Sequence, residues 1–243
     1  MAPNTSETLS IAAKRDGVLI VIPAYNEEES IVLVIEDIRQ HSSADIVVVD
    51  DCSSDRTAAV ARSNGVHVLS LALRLGAWGA AQAGVRYAQR EHYQIVVTMD
   101  ADGQHLGGEL PGLLQRLQVG DGNVVIGSYP ERGSPARKFA WRIFRALTGF
   151  SFQDLTSGFR AYDRQAIAAI ASREASLIEY QDIGILMLLR KAGAKVVEHP
   201  VSMRPRLSGA SHIFSSWLVV VLYMAETLIL CLARWHVHRI RNA

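Results

Sequence analysis

The sequence predicts an α/β fold in which helices flank an open, mostly parallel sheet, and three observations lead to this prediction. Short apolar runs alternate with segments of helical periodicity along the first half of the chain. These runs are rich in Val and Ile, as expected of strands that are buried on both faces. Polar clusters follow several runs directly, at the edge where parallel sheets bind ligands. With 243 residues, the chain is long enough for one large domain.

Five short apolar runs are the predicted strands of this sheet. They cover residues 18–22, 46–49, 66–71, 95–99 and 124–127. Pro23 is expected to end the first strand, because a proline nitrogen cannot donate to a sheet ladder.

Helical periodicity fills the segments between these strands. Apolar residues recur at helical spacing over residues 27–40, and an Ala-rich helix is expected over residues 79–90. A shorter helix is expected over residues 58–63, with N-cap candidates at residues 53–57. Strands that are separated by helices form βαβ units, and such units place their strands in parallel.

Composition excludes some classes of function. The chain has 25 Lys and Arg against 24 Asp and Glu, a net charge of +1, which is no footprint for nucleic acid. Cys52 and Cys231 have neither metal-ligand nor redox spacing, so a reducing compartment is the simpler interpretation. The N-terminal residues lack a basic segment followed by an apolar one, so no secretory signal is expected and the catalytic portion should stay in the cytosol.

Two carboxylates, Asp100 and Asp102, follow the strand predicted at residues 95–99. Residues i and i+2 of an extended segment share a face, so both side chains can converge just beyond the strand. Carboxylate oxygens there could hold a hard divalent cation together with phosphate. A polar turn that merely closes a buried strand explains these residues equally well when they are taken alone.

The polar clusters at three strand ends carry a family resemblance. Residues 23–27, 50–55 and 100–102 resemble, in order and spacing, the inverting family 2 glycosyltransferases of the GT-A fold. Residues 154–160, 179–182 and 206–212 continue the resemblance and look like the polyprenyl-phosphate sugar transferases. The resemblance implies a single GT-A domain with a nucleotide-sugar half (1–130), an acceptor half (131–212) and a C-terminal apolar helix with a basic tail (213–243).

The resemblance assigns the donor site. It implies that Tyr25 packs against the base, that Glu27 accepts from ribose hydroxyls and that Asp51 accepts an imino N–H of the base. A cation, Mg²⁺ or Mn²⁺, would be held by Asp100 and Asp102 and would stabilise the diphosphate as leaving group. The full donor set is Pro23, Ala24, Tyr25, Glu27, Val49, Asp51, Asp100, Ala101, Asp102 and Gln104.

The acceptor side is assigned in the same way. The residues implied to bind acceptor phosphate are Arg137, Ser157, Arg206, Ser211 and His212. The catalytic set is Asp102, Asp154, Asp182 and Arg206. A hydroxyl acceptor needs a base, for which Asp154 and Asp182 are the candidates, whereas a phosphate acceptor is already anionic. Asp182 also precedes an apolar helix, so helix capping explains it too.

The chain departs from the family pattern at three positions. Arg74 stands where Asn is usual, Tyr129 replaces an Arg after the fifth strand, and His212 replaces a Lys. These changes leave the reaction type intact and the identity of the donor open.

Two segments suggest contact with a membrane surface. Residues 134–152 interleave basic and aromatic side chains, as in an amphipathic helix at a lipid surface, although an ordinary helix packed on the sheet fits as well. Residues 217–233 are nearly all apolar and precede a basic tail. Glu226 within this run favours an interfacial helix over a spanning one, and a helix buried in a core or a dimer is the alternative.

The leading hypothesis is a metal-dependent inverting glycosyltransferase that moves a sugar from a nucleoside-diphosphate sugar to a polyprenyl phosphate at the cytoplasmic membrane face. One alternative keeps the donor but uses a saccharide or glycolipid hydroxyl as acceptor, in cell-envelope polysaccharide synthesis. Another is a nucleotide-sugar-binding protein without catalysis. Expected partners are thus the donor, a lipid-linked acceptor and the membrane surface, with no nucleic acid and with homo-oligomerisation left open.

Overall fold

The computed structural model describes residues 17–132, 141–142, 145–146, 148–178 and 183–205. Its centre is a 7-stranded sheet with the strand order β3-β2-β1-β4-β6-β5-β7. The strands are β1 (Val18–Ala24), β2 (Asp45–Asp50), β3 (His67–Ser70), β4 (Ile95–Thr98), β5 (Val124–Ser128), β6 (Arg160–Tyr162) and β7 (Val196–Pro200). The helices are α1 (Ile31–His41), α2 (Thr57–Ser63), α3 (Gly76–Arg90), α4 (Leu110–Gln118), α5 (Arg164–Ile170) and α6 (Ile183–Lys191).

The predicted α/β class with a mostly parallel sheet is confirmed. Strands β1 to β4 pair in parallel, and so do β5 and β7. Strand β6 is the exception, because it runs antiparallel to both of its neighbours, β4 and β5. The sequence pattern did not predict β6, β7, α4 or α5.

Two apolar clusters lie on opposite faces of the sheet. Val21 and Val49 face the cluster that includes α3, α5 and α6, whereas their neighbours Ile20 and Val48 face the cluster that includes α1 and α4. This alternation follows from the period of two in a strand. The apolar runs of β1 and β2 are continuous because helices cover both faces.

Two predicted boundaries are wrong near the first strand. Strand β1 continues through Pro23 to Ala24, pairing with β2 along the way. Strand β4 pairs with β1 only as far as Val21, so Pro23 lies where β1 has a single neighbour and a missing donor is tolerated. Helix α1 begins at Ile31 and not at residue 27, since Asn26 and Glu27 belong to a loop that is bonded to the segment between β2 and α2 and to the first residue of α2.

The described part of the basic, aromatic segment at residues 134–152 packs on the sheet. Trp141 and Phe150 are buried in the core, and Phe152 packs against the same cluster. The positions of these aromatic rings therefore agree with the alternative, in which the segment packs on the sheet like an ordinary helix. Within the described residues, no helix combines the length and apolarity needed to cross a bilayer. The apolar run at 217–233 lies outside them.

Candidate active site

The loops that follow β1 and β2 are tied together at the carboxyl edge of the sheet. The Asn26 N–H donates to Ser53 Oγ at 3.0 Å, and the Ser54 N–H donates back to Asn26 Oδ1 at 2.8 Å. Asn26 and Cys52 have φ angles of 54° and 61°, a left-handed conformation that Asn tolerates better than most residues. The two loops thus form one rigid platform.

Asp55 anchors the same platform. Its Oδ2 accepts the Glu28 N–H at 3.1 Å, and its Oδ1 accepts the Thr57 N–H at 2.9 Å together with the Thr57 hydroxyl. Burial alone would raise the pKa of the Asp55 carboxyl, but these hydrogen bonds outweigh it and hold the pKa below its ordinary 3.8. Asp55 therefore supports the start of α2.

Asp51 caps the start of α3. Its Oδ1 accepts the Leu75 N–H at 2.6 Å and its Oδ2 accepts the Gly76 N–H at 2.9 Å. Its own N–H donates to Ala24 O at 2.9 Å, so the residue also joins β1 to β2. Asp51 is buried, with its backbone held by β1 and its carboxylate by the start of α3, and each carboxylate oxygen retains a second lone pair for a ligand.

Tyr25 and Arg74 stack on one another beside this cap. The guanidinium carbon of Arg74 lies 3.7 Å from the centroid of the Tyr25 ring, well within the range of a cation–π contact. Arg74 is exposed, whereas Tyr25 is half-buried. The residue that departs from the family pattern therefore covers the ring that was predicted to pack against a base.

The remaining predicted donor residues of β1 and β2 have structural contacts. The Glu27 carboxylate accepts from Ser30 Oγ at 2.7 Å. Ala24 and Val49 are buried and Pro23 is half-buried, so these apolar members can offer a nucleotide chiefly their backbone.

The Asp100–His105 segment forms a tight turn after β4, called here the 100–105 turn. Asp102 is buried, and its Oδ1 accepts the Gln104 N–H at 3.0 Å. The Asp100 side chain is 44% exposed. The Asp100 N–H donates to Nδ1 of the buried His105 at 3.2 Å, and Nε2 of that ring lies 3.8 Å from Asp100 Oδ2. The buried Ala101 belongs to the apolar cluster that includes α1 and α4.

This turn offers the oxygen ligands that a hard cation prefers. Within the described ranges there is no cluster of three or more His, Cys, Asp or Glu side chains arranged for a metal. Asp100 and Asp102 are the residues of this turn that could hold such a cation. The rest of the coordination would come from diphosphate and water, as is usual for Mg²⁺. The residues present fit that group.

A second loop, residues 153–158, lies against the 100–105 turn. A Cβ at Gly158 would be 2.8 Å from Asp100 Oδ1, so the Gly158 backbone lies directly against the Asp100 carboxylate. The Thr98 hydroxyl donates to Gly158 O at 2.7 Å, and the ring of His105 stacks on that of Phe159 with centroids 5.0 Å apart. The sequence analysis assigned these segments to different halves of the domain, and β6 brings them together.

Asp154 and Ser157 are the described members of the predicted acceptor side, and both are buried. Asp154 Oδ1 accepts the Thr156 N–H at 3.1 Å, and its Oδ2 accepts the Tyr129 N–H at 3.4 Å. Its carboxylate therefore shapes the 153–158 loop. Ser157 Oγ accepts the Phe159 N–H at 3.3 Å.

The segment after β7 returns to the 100–105 turn. The Arg204 N–H donates to Gln104 O at 2.8 Å, and Met203 forms a bridge with His105. Arg206 follows two residues later but lies outside the described residues. Four other predicted site residues also lie outside them, so their roles stay predictions: Arg137, Asp182, Ser211 and His212.

Three residues that sequence reasoning missed form hydrogen bonds to these segments. His105 accepts the Asp100 N–H, Arg160 donates to Ser157 O and Glu198 accepts the Asp154 N–H. His105 and Arg160 stand inside or next to the quoted motifs, and that position was the available signal. Glu198 gave none, because a lone carboxylate in an edge strand has no local pattern.

These features point to a class of protein. A mostly parallel sheet with an Asp-x-Asp turn at its carboxyl edge fits the GT-A fold of sugar transferases. The family profile described as Glycosyl transferase family 2 matches residues 19–177. The chain belongs to this family and is a glycosyltransferase.

Relatives with assigned names are similar over most of their length. The undecaprenyl-phosphate mannosyltransferase of Micrococcus luteus is 35% identical over 214 residues, which cover 80% of this chain and 86% of that protein. The polyprenol monophosphomannose synthase of Mycolicibacterium smegmatis is 32% identical over 216 residues, covering 82% and 81%.

Solved structures share the fold. The glucosyl-3-phosphoglycerate synthase of Mycobacterium tuberculosis, solved with Mn²⁺, UDP and phosphoglyceric acid, has a TM-score of 0.67 at 22% identity, covering 91% of this chain and 80% of that one. The same enzyme with Mg²⁺ and UDP has a TM-score of 0.66 at 22% identity, with the same coverage.

Proposed function

We propose that this glycosyltransferase transfers a sugar, with inversion, from a nucleoside-diphosphate sugar to a polyprenyl phosphate, and that it requires Mg²⁺ or Mn²⁺. The observation that carries the proposal is the contact of Gly158 with the Asp100 carboxylate, which joins the donor-side turn to the acceptor-side loop. The names of the two bacterial relatives support the lipid phosphate as acceptor. The metal-bound structures of the fold neighbour support the cation.

The donor would lie along the carboxyl edge of β1, β2 and β4. Asp51 is anchored by the Leu75 and Gly76 N–H groups, so it can meet a base without reorganisation. Asp100 and Asp102 are the residues that would hold the cation, and when bound it would neutralise the diphosphate and stabilise it as leaving group. Asp102 is already fixed by the Gln104 N–H, which orients its second oxygen.

The acceptor would approach from the 153–158 loop. A polyprenyl phosphate is anionic and can attack without a general base, so what it needs from the protein is position. The buried Asp154 suits this requirement, because its carboxylate accepts backbone N–H groups and orients the loop. Arg137 and Arg206 are the proposed phosphate partners, since a guanidinium presents a planar fork to phosphate oxygens.

The location proposed is the cytoplasmic face of the membrane. The apolar run at 217–233 and the basic residues after it suit an interfacial helix on an anionic leaflet. A vesicle flotation assay with and without anionic lipid tests whether this segment binds the membrane. The chain truncated before Trp217 is the comparison. Equal flotation of both proteins would contradict it.

The test of function is a screen of labelled nucleotide sugars against a short prenyl phosphate and a matched saccharide. We expect transfer to the prenyl phosphate, with a product that mild acid hydrolyses. Arg137→Ala should impair this transfer while donor binding is kept, and Asp182→Asn should impair it much less. Transfer to the saccharide alone, abolished by Asp182→Asn, would replace the proposal with the hydroxyl-acceptor alternative. Nucleotide binding without any transfer would favour the binding-protein alternative.

A further inference from the structure

We propose that Glu198 is a positioning residue for the transfer reaction, because its carboxylate holds the start of the 153–158 loop in place. This inference rests on the proposed function, in which that loop faces the acceptor. Glu198 belongs to β7, at the opposite end of the strand order from the nucleotide platform. It is part of none of the motifs through which the family was recognised.

The Glu198 carboxylate accepts three separate donors. Its Oε1 accepts the Gln153 N–H at 2.8 Å, the Asp154 N–H at 2.9 Å and the Ser128 hydroxyl at 2.9 Å. Its Oε2 lies 2.9 Å from the Gln153 nitrogen. Two consecutive backbone N–H groups of the loop therefore point at one half-buried anion, and charge-assisted bonds of this kind are stronger than neutral ones.

A cation holds the other end of the same loop. Arg160 is buried, and its Nε donates to Ser157 O at 2.8 Å while its Nη2 donates to Leu155 O at 3.1 Å. Among the described residues, its Nη1 has no hydrogen-bond partner. An anion thus binds the N–H groups at the start of the loop, and a cation binds carbonyl groups further along.

Glu198 and Arg160, together called here the clamp, hold a loop that is coupled to the donor side as well. Gly158 ends the loop against the Asp100 carboxylate, so a shift of the loop changes the space next to the proposed cation ligand. The chain that leaves β7 also bonds to the 100–105 turn, through the Arg204 N–H and Gln104 O at 2.8 Å. Strand β7 and the segment that follows it therefore contact both sides of the proposed reaction, and Glu198 is the contact of the strand with the acceptor side.

Glu198→Gln is the sharpest test because it keeps the size of the side chain. It leaves one oxygen that can still accept, but it removes the negative charge that strengthens these bonds and places an NH2 group, which cannot accept, against the Gln153 N–H. The control is Asp163→Asn, since the Asp163 carboxylate accepts the Ala166 N–H at 2.9 Å and an Asn123 amide N–H at 2.6 Å at the start of α5. Both variants weaken a half-buried carboxylate that accepts backbone N–H groups. Of the two carboxylates, only that of Glu198 binds the 153–158 loop.

We expect Glu198→Gln to lower kcat for a prenyl phosphate acceptor by about tenfold or more, since misplacement of an acceptor is costly. Binding of nucleoside diphosphate with Mg²⁺, measured by calorimetry, should change much less than kcat, because Thr98 and Arg160 still hold the Gly158 end of the loop next to Asp100. Asp163→Asn should lower Tm and leave kcat unaltered. Ser128→Ala, which removes a single donor to Glu198, should give an intermediate loss of kcat and serves if Glu198→Gln fails to fold.

Amide hydrogen exchange tests the clamp independently of activity. Exchange at residues 153–154 should accelerate in Glu198→Gln and not in Asp163→Asn. An active wild type with undiminished kcat in Glu198→Gln, or an equal loss of donor binding, would overturn the positioning role. An inactive wild type would overturn the proposed function instead, and the exchange rates would then decide whether Glu198 holds the loop.

Discussion

Gly158 lies against the carboxylate of Asp100, so closely that a Cβ at position 158 would be 2.8 Å from one carboxylate oxygen and 3.1 Å from the other. Gly158 and Asp100 are 58 positions apart in the chain. They lie next to each other because β6, which follows Gly158, pairs with β4, which precedes Asp100. This contact makes the geometry of the proposed cation site sensitive to the backbone of the acceptor-side loop.

We expect Gly158→Ala to impair catalysis more than folding. The atom that the new methyl meets is the end of a flexible, partly exposed side chain, so Asp100 can turn away at small cost to stability. The displaced carboxylate should lower kcat/KM by about tenfold or more, equivalent to about 1.4 kcal/mol. Gly17→Ala is the control, because a Cβ there meets nothing within 4 Å. Equal kcat/KM values for both variants would show that Gly158 does not influence the active site.

Asp102→Asn should abolish turnover while the fold is retained. The amide oxygen can still accept the Gln104 N–H, but the negative charge that would bind a cation is lost. Steady-state rates with titrated Mg²⁺ or Mn²⁺ measure the effect, and circular dichroism checks the fold. Full wild-type activity in excess chelator would remove the cation from the mechanism.

Asp51→Ala should weaken binding of nucleoside diphosphate more than Asp154→Ala does. Asp51 stands at the edge proposed for the base, whereas Asp154 orients the acceptor-side loop. A lost hydrogen bond to a buried partner costs on the order of 1–3 kcal/mol. Both variants should also lower Tm, since each carboxylate accepts backbone N–H groups, so calorimetry has to be done well below the Tm. Equal losses of affinity would reject this division of roles.

Asp55→Asn should be less stable than the wild type at neutral pH, and the difference should shrink in acid. The native hydrogen bonds hold the pKa of Asp55 below 3.8, so the unfolded chain takes up the proton first as the pH falls. The stabilisation by Asp55 is therefore complete at pH values well above 3.8, the ordinary pKa of the unfolded chain. It is lost progressively as the pH falls through the lower pKa of the folded protein. Urea unfolding of both proteins at pH 7 and near pH 3 measures the change, and a difference that persists unaltered in acid would contradict it.

The nucleotide half could be predicted from the sequence because its signals are local. Runs such as those of β1, β2 and β4 are apolar and β-branched, with a polar cluster directly after each strand. Alternation with helices fixes a parallel order, which in turn fixes a shared carboxyl edge. The positions of the Asp-x-Asp turn and of the Asp51 cluster follow from this local pattern.

Only the tertiary structure decided what faces that edge. Strand β6 is 3 residues long, too short for a periodicity to be recognised, and its antiparallel insertion between β4 and β5 depends on contacts that are distant in sequence. It places the 153–158 loop beside Asp100. The opposite charges of Glu198 and Arg160 then hold that loop, through backbone groups that carry no residue-specific signal in the sequence. Local patterning determined the sheet and its polar ends, and long-range hydrogen bonding determined how the two sides of the site meet.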